Sequence, residues 1–145
     1  MLLKDQDTLA AELRPLLTRL VRKLRRLSPS NEQLSQSERA VLVLLEQHEH
    51  LLSAELAVME KMTPQSMGQL LHRLAAQGLI TRKSVPYDKR KINISLSDAG
   101  KERIQRIRKE RNEWLSKAIH SACTPAEQAI LQAALAPLAK IVDFE

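Results

Sequence analysis

Only one cysteine, Cys123, stands in the 145 residues, so no intrachain disulfide can staple the fold, and the chain suits a reducing compartment. No apolar run approaches the roughly 18 residues that a membrane span needs. The opening stretch MLLKDQDTLAAELRP puts acids and a proline where a signal peptide would carry its apolar segment, so the expected location is cytoplasmic, with no membrane partner. Aromatics are scarce: Tyr87, Trp114 and Phe144 sit among many Leu, Ala, Ile and charged residues, which disfavours an aromatic-rich β-sandwich and predicts a mostly α fold. No Ser/His/Asp, Cys/His or paired-carboxylate grouping stands out, and His120 is alone near a helix end, so no enzyme is expected. His48-Glu49-His50 invites a metal, but residues i and i+2 diverge on a helix and no further His or Cys lies close in sequence. No metal or cofactor is expected.

What is present is basic charge, unevenly placed. The net charge is +6, and the window 82–111 alone holds eleven Lys or Arg against four acids. A polyanionic partner follows, although charge by itself does not choose among DNA, RNA and anionic lipid. The length is enough for one domain, or for a small domain with an assembly region.

The stretch Thr63 to Arg82, TPQSMGQLLHRLAAQGLITR, organises the rest. Thr63-Pro64 is a helix start, because the hydroxyl accepts an orphan N–H and proline loses nothing at the first helical position. Gly78 marks the stop. Met67, Leu70, Leu71 and Leu74 recur at i, i+3, i+4 and i+7 and form a buried back, leaving Gln65, Ser66, Gln69, His72 and Arg73 on an outer face without an acid. Amides and guanidinium on a short helix suit major-groove reading, where Gln and Arg offer paired donors and acceptors to base edges.

The neighbours supply the context. Leu9, Leu13, Leu16, Leu17, Leu20, Val21, Leu24 and Leu27 trace a first helical seam, with Pro15 predicting a kink or a late start near Arg14; SPSN at 28–31 is a loop. Ser35-Gln36-Ser37-Glu38 has the form of a capping box, opening a second helix to about Gln47 with Ala40, Val41, Leu44 and Leu45 on one face. Ser53 is placed to cap a short third helix carrying Leu56, Ala57 and Met59, which with the Thr63 helix makes a helix-turn-helix. Leu79–Val85 and Lys91–Leu96 read as strands, with Ile92, Ile94 and Leu96 on the buried face, joined by a turn at Pro86-Tyr87-Asp88-Lys89. The hairpin carries Arg82, Lys83, Lys89, Arg90 and Lys91, suited to phosphates or a narrow minor groove. A long fifth helix follows with Ile104, Ile107, Trp114, Leu115, Ala118 and Ile119 in its stripe. Thr124-Pro125-Ala126-Glu127 caps a last helix whose seam is Ile130, Leu131, Ala134, Leu135, Leu138, Ile141 and Val142, with a bend expected near Ala133 ahead of Pro137.

Taken in this order, Gln77-Gly78-Leu79-Ile80, Arg82, Asp88-Lys89-Arg90 and Ile94-Ser95-Leu96-Ser97-Asp98-Ala99-Gly100 resemble the signature of the MarR family of bacterial transcription regulators. The resemblance covers nearly the whole chain. It implies a winged helix-turn-helix with long terminal dimerisation helices: residues 1–34 and 112–145 for the dimer, residues 35–111 for DNA, in one intertwined unit. It also implies a homodimer on double-stranded DNA with a roughly palindromic operator, acting most often as a repressor released by a small aromatic or phenolic anion. On this pattern Gln65, Ser66 and Gln69 read bases. Thr63, His72, Arg73, Arg82, Lys83, Asp88, Lys89, Arg90 and Lys91 meet phosphate or the minor groove, with Asp88 orienting and Arg90 reaching in. Leu13, Leu16, Leu17, Leu20, Leu135, Leu138, Ile141 and Val142 form the dimer seam. Lys89 departs from the family's arginine, keeping charge but not forked geometry. Redox-sensing members carry their reactive cysteine near the amino terminus, whereas Cys123 lies beside the last helix cap and reads as an inert small residue. The alternative function is an architectural or interaction protein that binds nucleic acid without sequence choice.

Overall fold

The structure is a computed structural model and describes residues 5–27 and 33–145; the loop expected at 28–31 lies outside the described residues. The elements in chain order are α1 (Gln6–Arg26), α2 (Gln36–Gln47), β1 (Leu51–Leu52), α3 (Ser53–Met59), α4 (Pro64–Ala76), β2 (Ile80–Val85), β3 (Asp88–Leu96), α5 (Asp98–Ala122) and α6 (Pro125–Val142). They fall into two compact units, residues 28–109 and residues 1–27 with 110–145, beside an expected division at 35–111 and 1–34 with 112–145. Among the described residues no helix is long and apolar enough to cross a membrane.

The unit 28–109 closes around one core. Val41, Leu42 and Leu45 of α2, Leu56 of α3, the four apolar residues of α4, Ile94 of β3 and Ile104 and Ile107 of α5 all pack into it. The buried face of α2 is Glu38, Val41, Leu42 and Leu45, so Ala40 and Leu44, expected inside, lie half-buried at its margin. In α3 the cap is Leu52 and not Ser53, which already belongs to the helix. The Leu52 N–H donates to Glu55 Oε1 at 2.9 Å, because Leu51 and Leu52 are drawn into a strand and the helix has to begin directly after it. Between α3 and α4, Lys61 takes φ 53°, a left-handed conformation that costs a non-glycine residue about 1–2 kcal/mol.

That strand, β1, was not expected from the sequence. It pairs antiparallel with β3 through Leu51↔Ile94 and Leu52↔Asn93, giving a three-stranded sheet in the order β1-β3-β2 in place of a hairpin alone. The β2–β3 ladder runs in register from Ile80↔Leu96 to Ser84↔Ile92, then shifts so that Val85 faces Asp88. The turn is therefore Pro86-Tyr87 alone, two residues shorter than expected, and the slack is taken up at the shift. Ile94 is fully buried and Leu96 half-buried, but Ile92 is 39% exposed, because β3 has by then run past the edge of the core.

The junction from α4 to α5 is tight. Gly78, at φ 73°, ends the helix as the sequence indicates. Ser97 stands just ahead of α5: its N–H donates to the Leu79 carbonyl at 3.1 Å, its hydroxyl donates to the Gly78 carbonyl at 2.5 Å, and that hydroxyl accepts from the Gly100 N–H at 3.0 Å.

The other unit contains α1, the second half of α5, and α6. Asp5 caps α1 by accepting from the Thr8 N–H at 2.7 Å, so the helix starts at Gln6 and runs through Pro15, and the late start near Arg14 is not taken. Thr124 and Glu127 form the expected reciprocal box at 2.9 and 3.2 Å, and α6 continues through Pro137. The Lys23 ammonium lies 5.5 Å from the centre of the Trp114 ring. Neither α1 nor α6 has a single buried residue.

Candidate nucleic-acid interface

Helix α4 is held from behind and open in front. Thr63 caps it, its hydroxyl accepting from the Ser66 N–H at 3.1 Å, and Pro64 takes the first turn. Met67, Leu70, Leu71 and Leu74 are buried; Thr63, Gln65, Ser66, Gln69, His72 and Arg73 are all exposed. The first turn contains no acid, so the helix N-terminus keeps its positive end unopposed toward any approaching phosphate.

The wing adds cations of two kinds. Arg82 and Lys83 sit on the regular part of β2, opposite Ile94 and Asn93, with exposed side chains. Lys89, Arg90 and Lys91 fall inside the register shift, between Asp88, paired with Val85, and Ile92, paired with Ser84, so these three consecutive cations have no β2 partner. Asp88 organises the middle one. Its Oδ1 accepts from the Arg90 N–H at 3.0 Å and from Arg90 Nε at 3.3 Å, while the Arg90 side chain remains 93% exposed. The acid is spent on aiming the guanidinium rather than on burying it.

Two basic residues are less available than a count of charges suggests. Arg108, in the basic first half of α5, reaches Glu46 of α2 through both terminal guanidinium nitrogens, Nη2 at 2.5 Å and Nη1 at 2.8 Å. Arg73 of α4 lies 3.7 Å through Nε from Glu38 of α2. The outer face of α4 carries no acid of its own, yet one arrives from a neighbouring helix. Ser35 accepts from the Glu38 N–H at 3.1 Å, which is half of the expected capping box, but the Glu38 carboxylate does not turn back to complete it. It faces Arg73 and accepts from Gln77 Nε2 at 3.3 Å. Nothing in the S-x-x-E spacing reports this, since the partners lie more than thirty residues further along the chain.

The remaining chemical candidates carry little. His48 Nδ1 lies 2.9 Å from the Leu44 carbonyl, and no group of three His, Cys, Asp or Glu able to hold a metal occurs among the described residues. Cys123 is half-buried.

Comparison with known proteins points the same way as the geometry. A profile described as the MarR family matches residues 32–91. An uncharacterized HTH-type transcriptional regulator of Mycobacterium bovis is 31% identical over 140 residues, covering 96% of each chain. Among solved structures, a Pseudomonas aeruginosa protein assigned as a transcriptional regulator is 33% identical, with a TM-score of 0.80 over 98% of this chain and 100% of that one. An S. aureus MepR variant, solved bound to an oligodeoxyribonucleotide, shares the fold at 20% identity, with a TM-score of 0.71 over 92% of this chain and 96% of that one.

Proposed function

This chain belongs to the MarR family of transcription regulators, and from that premise we propose that it is a dimeric repressor that reads a palindromic operator with α4 and its wing. It is a DNA-binding regulator and not an enzyme. The observation that carries the finer reading is the front of α4: Gln65, Ser66 and Gln69 stand exposed in its first two turns. A helix entering the major groove N-terminus first brings those positions to base edges, and a glutamine amide pairs bidentately with adenine. Thr63 and His72 flank them, and Arg82, Lys83, Lys89 and Lys91 are placed for phosphates, while Arg90, aimed by Asp88, enters the minor groove.

Dimerisation is supported by the state of the terminal helices. Leu16 is 57% and Leu135 66% exposed, Leu17, Leu20, Ile141 and Val142 are exposed as well, and Leu13 and Leu138 are half-buried. Leu9, Leu13, Leu17 and Ile141 line an apolar groove of about 440 Å³. So much apolar surface calls for a second copy, and a two-fold axis would set two α4 helices on one side of the duplex. The effector, on the family resemblance, is a small aromatic or phenolic anion whose binding releases DNA.

The test is selection of bound fragments from genomic DNA, together with light scattering at micromolar protein. A palindromic motif with half-sites about one helical turn apart, or a multiple of it, and a dimeric mass are expected. Equal affinity for all sequences at fixed salt would instead indicate a non-specific architectural protein, and a monomeric mass would remove the palindrome.

A further inference from the structure

Glu38 is the one charged residue that is buried among the described residues, and it lies on α2, a helix with no place on the reading face. Its side chain is 7% exposed, while that of Arg73 is 56% exposed. A carboxylate is held inside only where something compensates its charge. Here α4 supplies compensation twice over: the Arg73 guanidinium at 3.7 Å and the Gln77 amide at 3.3 Å. Gln77 Nε2 also lies 3.5 Å from the Arg73 carbonyl, so the amide ties the carboxylate to the backbone of the same turn that carries the arginine.

We propose that Glu38 is a positioning residue that withholds part of the Arg73 charge from DNA phosphate, lowering sequence-independent affinity and so raising selectivity. The proposal rests on the reading that the front of α4 meets DNA. At 3.7 Å the pair is an electrostatic tether and not a hydrogen bond, short enough to bias the guanidinium and long enough to leave it partly exposed. Sequence-independent binding comes from cations that displace counterions from phosphate, and a cation already neutralised from inside the protein displaces fewer. Selectivity is a difference between two affinities, so weakening the indifferent one sharpens it without any new base contact. Arg73 lies one helical turn behind Gln69, on the same outer face, where a fully free guanidinium would add phosphate affinity regardless of what Gln69 reads.

The experiment is a salt titration of DNA affinity with the full chain. The probes are a mixed-sequence duplex and the tightest duplex recovered from a random-sequence library. The proteins are wild type, Glu38→Gln, Arg73→Ala and the double variant. Glutamine keeps the shape of Glu38 and an oxygen for Gln77 while deleting the charge. Glu38→Gln is expected to steepen the salt dependence on mixed-sequence DNA by about 0.9 logarithmic units, which amounts to about threefold between 50 and 200 mM salt, and to lower the ratio of selected to mixed affinity. Arg73→Ala alone is expected to flatten the slope by much less than that, and Glu38→Gln added to it is expected to change nothing. An unchanged slope in Glu38→Gln, or a steepening that survives in the double variant, overturns the proposal, since the first denies the tether and the second assigns the effect to net charge alone. Should Glu38→Gln fail to fold, Arg73→Ala decides by itself: loss of a full phosphate's share means that Arg73 was never withheld. A wild type with no salt-dependent DNA complex would bring down the DNA-binding reading itself, whereas binding without coupling between the two positions brings down only the role of Glu38.

Discussion

Gly100, in the first turn of α5, stands against the backbone of Leu79: a Cβ built on it would lie 2.1 Å from the Leu79 carbonyl oxygen and 3.1 Å from its carbonyl carbon. The same oxygen accepts from the Ser97 N–H, so it cannot move aside without giving up the bond that joins the end of α4 to the start of α5. Gly100→Ala is therefore expected to destabilise the chain by about 1–3 kcal/mol, through backbone displacement rather than lost packing. Urea unfolding of the two proteins checks this. Gly68→Ala, where an added Cβ meets nothing within 4 Å, is the matched control and should be neutral or mildly stabilising.

Gln69 is exposed in the second turn of α4, between the buried Met67 and Leu70. Gln69→Ala is expected to cost about 1–3 kcal/mol on the best operator and to relax preference at one base pair in each half-site, leaving mixed-sequence binding nearly unchanged. A base-by-base affinity profile of both proteins measures it. Two profiles of identical shape, merely offset, would mean that the groove is read by something other than this face.

Lys89 and Lys91 flank Arg90 in the unpaired part of β3. Each, changed to alanine, should weaken selected and mixed DNA about equally and flatten the salt dependence by about 0.9 units. Asp88→Ala should act otherwise. It removes the acceptor that aims Arg90, so the loss should concentrate at A·T-rich steps, where a narrow minor groove attracts an inserted guanidinium.

Asp5 and Glu127 carry carboxyls held below the usual carboxylate range, Asp5 chiefly by the Thr8 N–H and Glu127 chiefly by the Thr124 N–H. A carboxyl with a lowered folded-state pKa contributes stability above its unfolded value and loses it as pH falls through the folded value. The first turns of α1 and α6 should accordingly loosen on acidification below the ordinary carboxylate range. Asp5→Asn with Glu127→Gln keeps an acceptor at both caps and should flatten that acid limb, as read by amide exchange in residues 6–9 and 126–128 against wild type.

Local signals were legible in the sequence where the structure uses local chemistry. Thr63-Pro64 and Gly78 delimit α4 because cap, proline and left-handed glycine act within a turn of where they stand. Thr124 and Glu127 do the same for α6. The failures share a cause. Leu51-Leu52 is a strand only because Ile94 and Asn93 come back beside it, and a two-residue stretch has no periodicity of its own. Ser35 and Glu38 have the spacing of a capping box, but Arg73 and Gln77 outbid the cap for the carboxylate. Ile92 alternates correctly and is still exposed, because alternation reports which way a residue points and not whether the core extends beneath it. Of the candidate interface, the residue types and their order were legible in the sequence; which cations are already engaged by acids from α2 was not.

The register shift in the wing separates two kinds of sequence freedom. From Ile80 to Ser84 every β2 residue has a β3 partner, and a deletion there would turn side chains to the wrong face of the sheet. Lys89, Arg90 and Lys91 have no such partner to lose, so residues there can be exchanged, added or lost while the base of the sheet keeps its alignment. A lineage of such proteins could diverge in operator preference by rewriting that tip alone, with the scaffold inherited intact, and a library randomised over 89–91 would sample new DNA targets at little risk to folding.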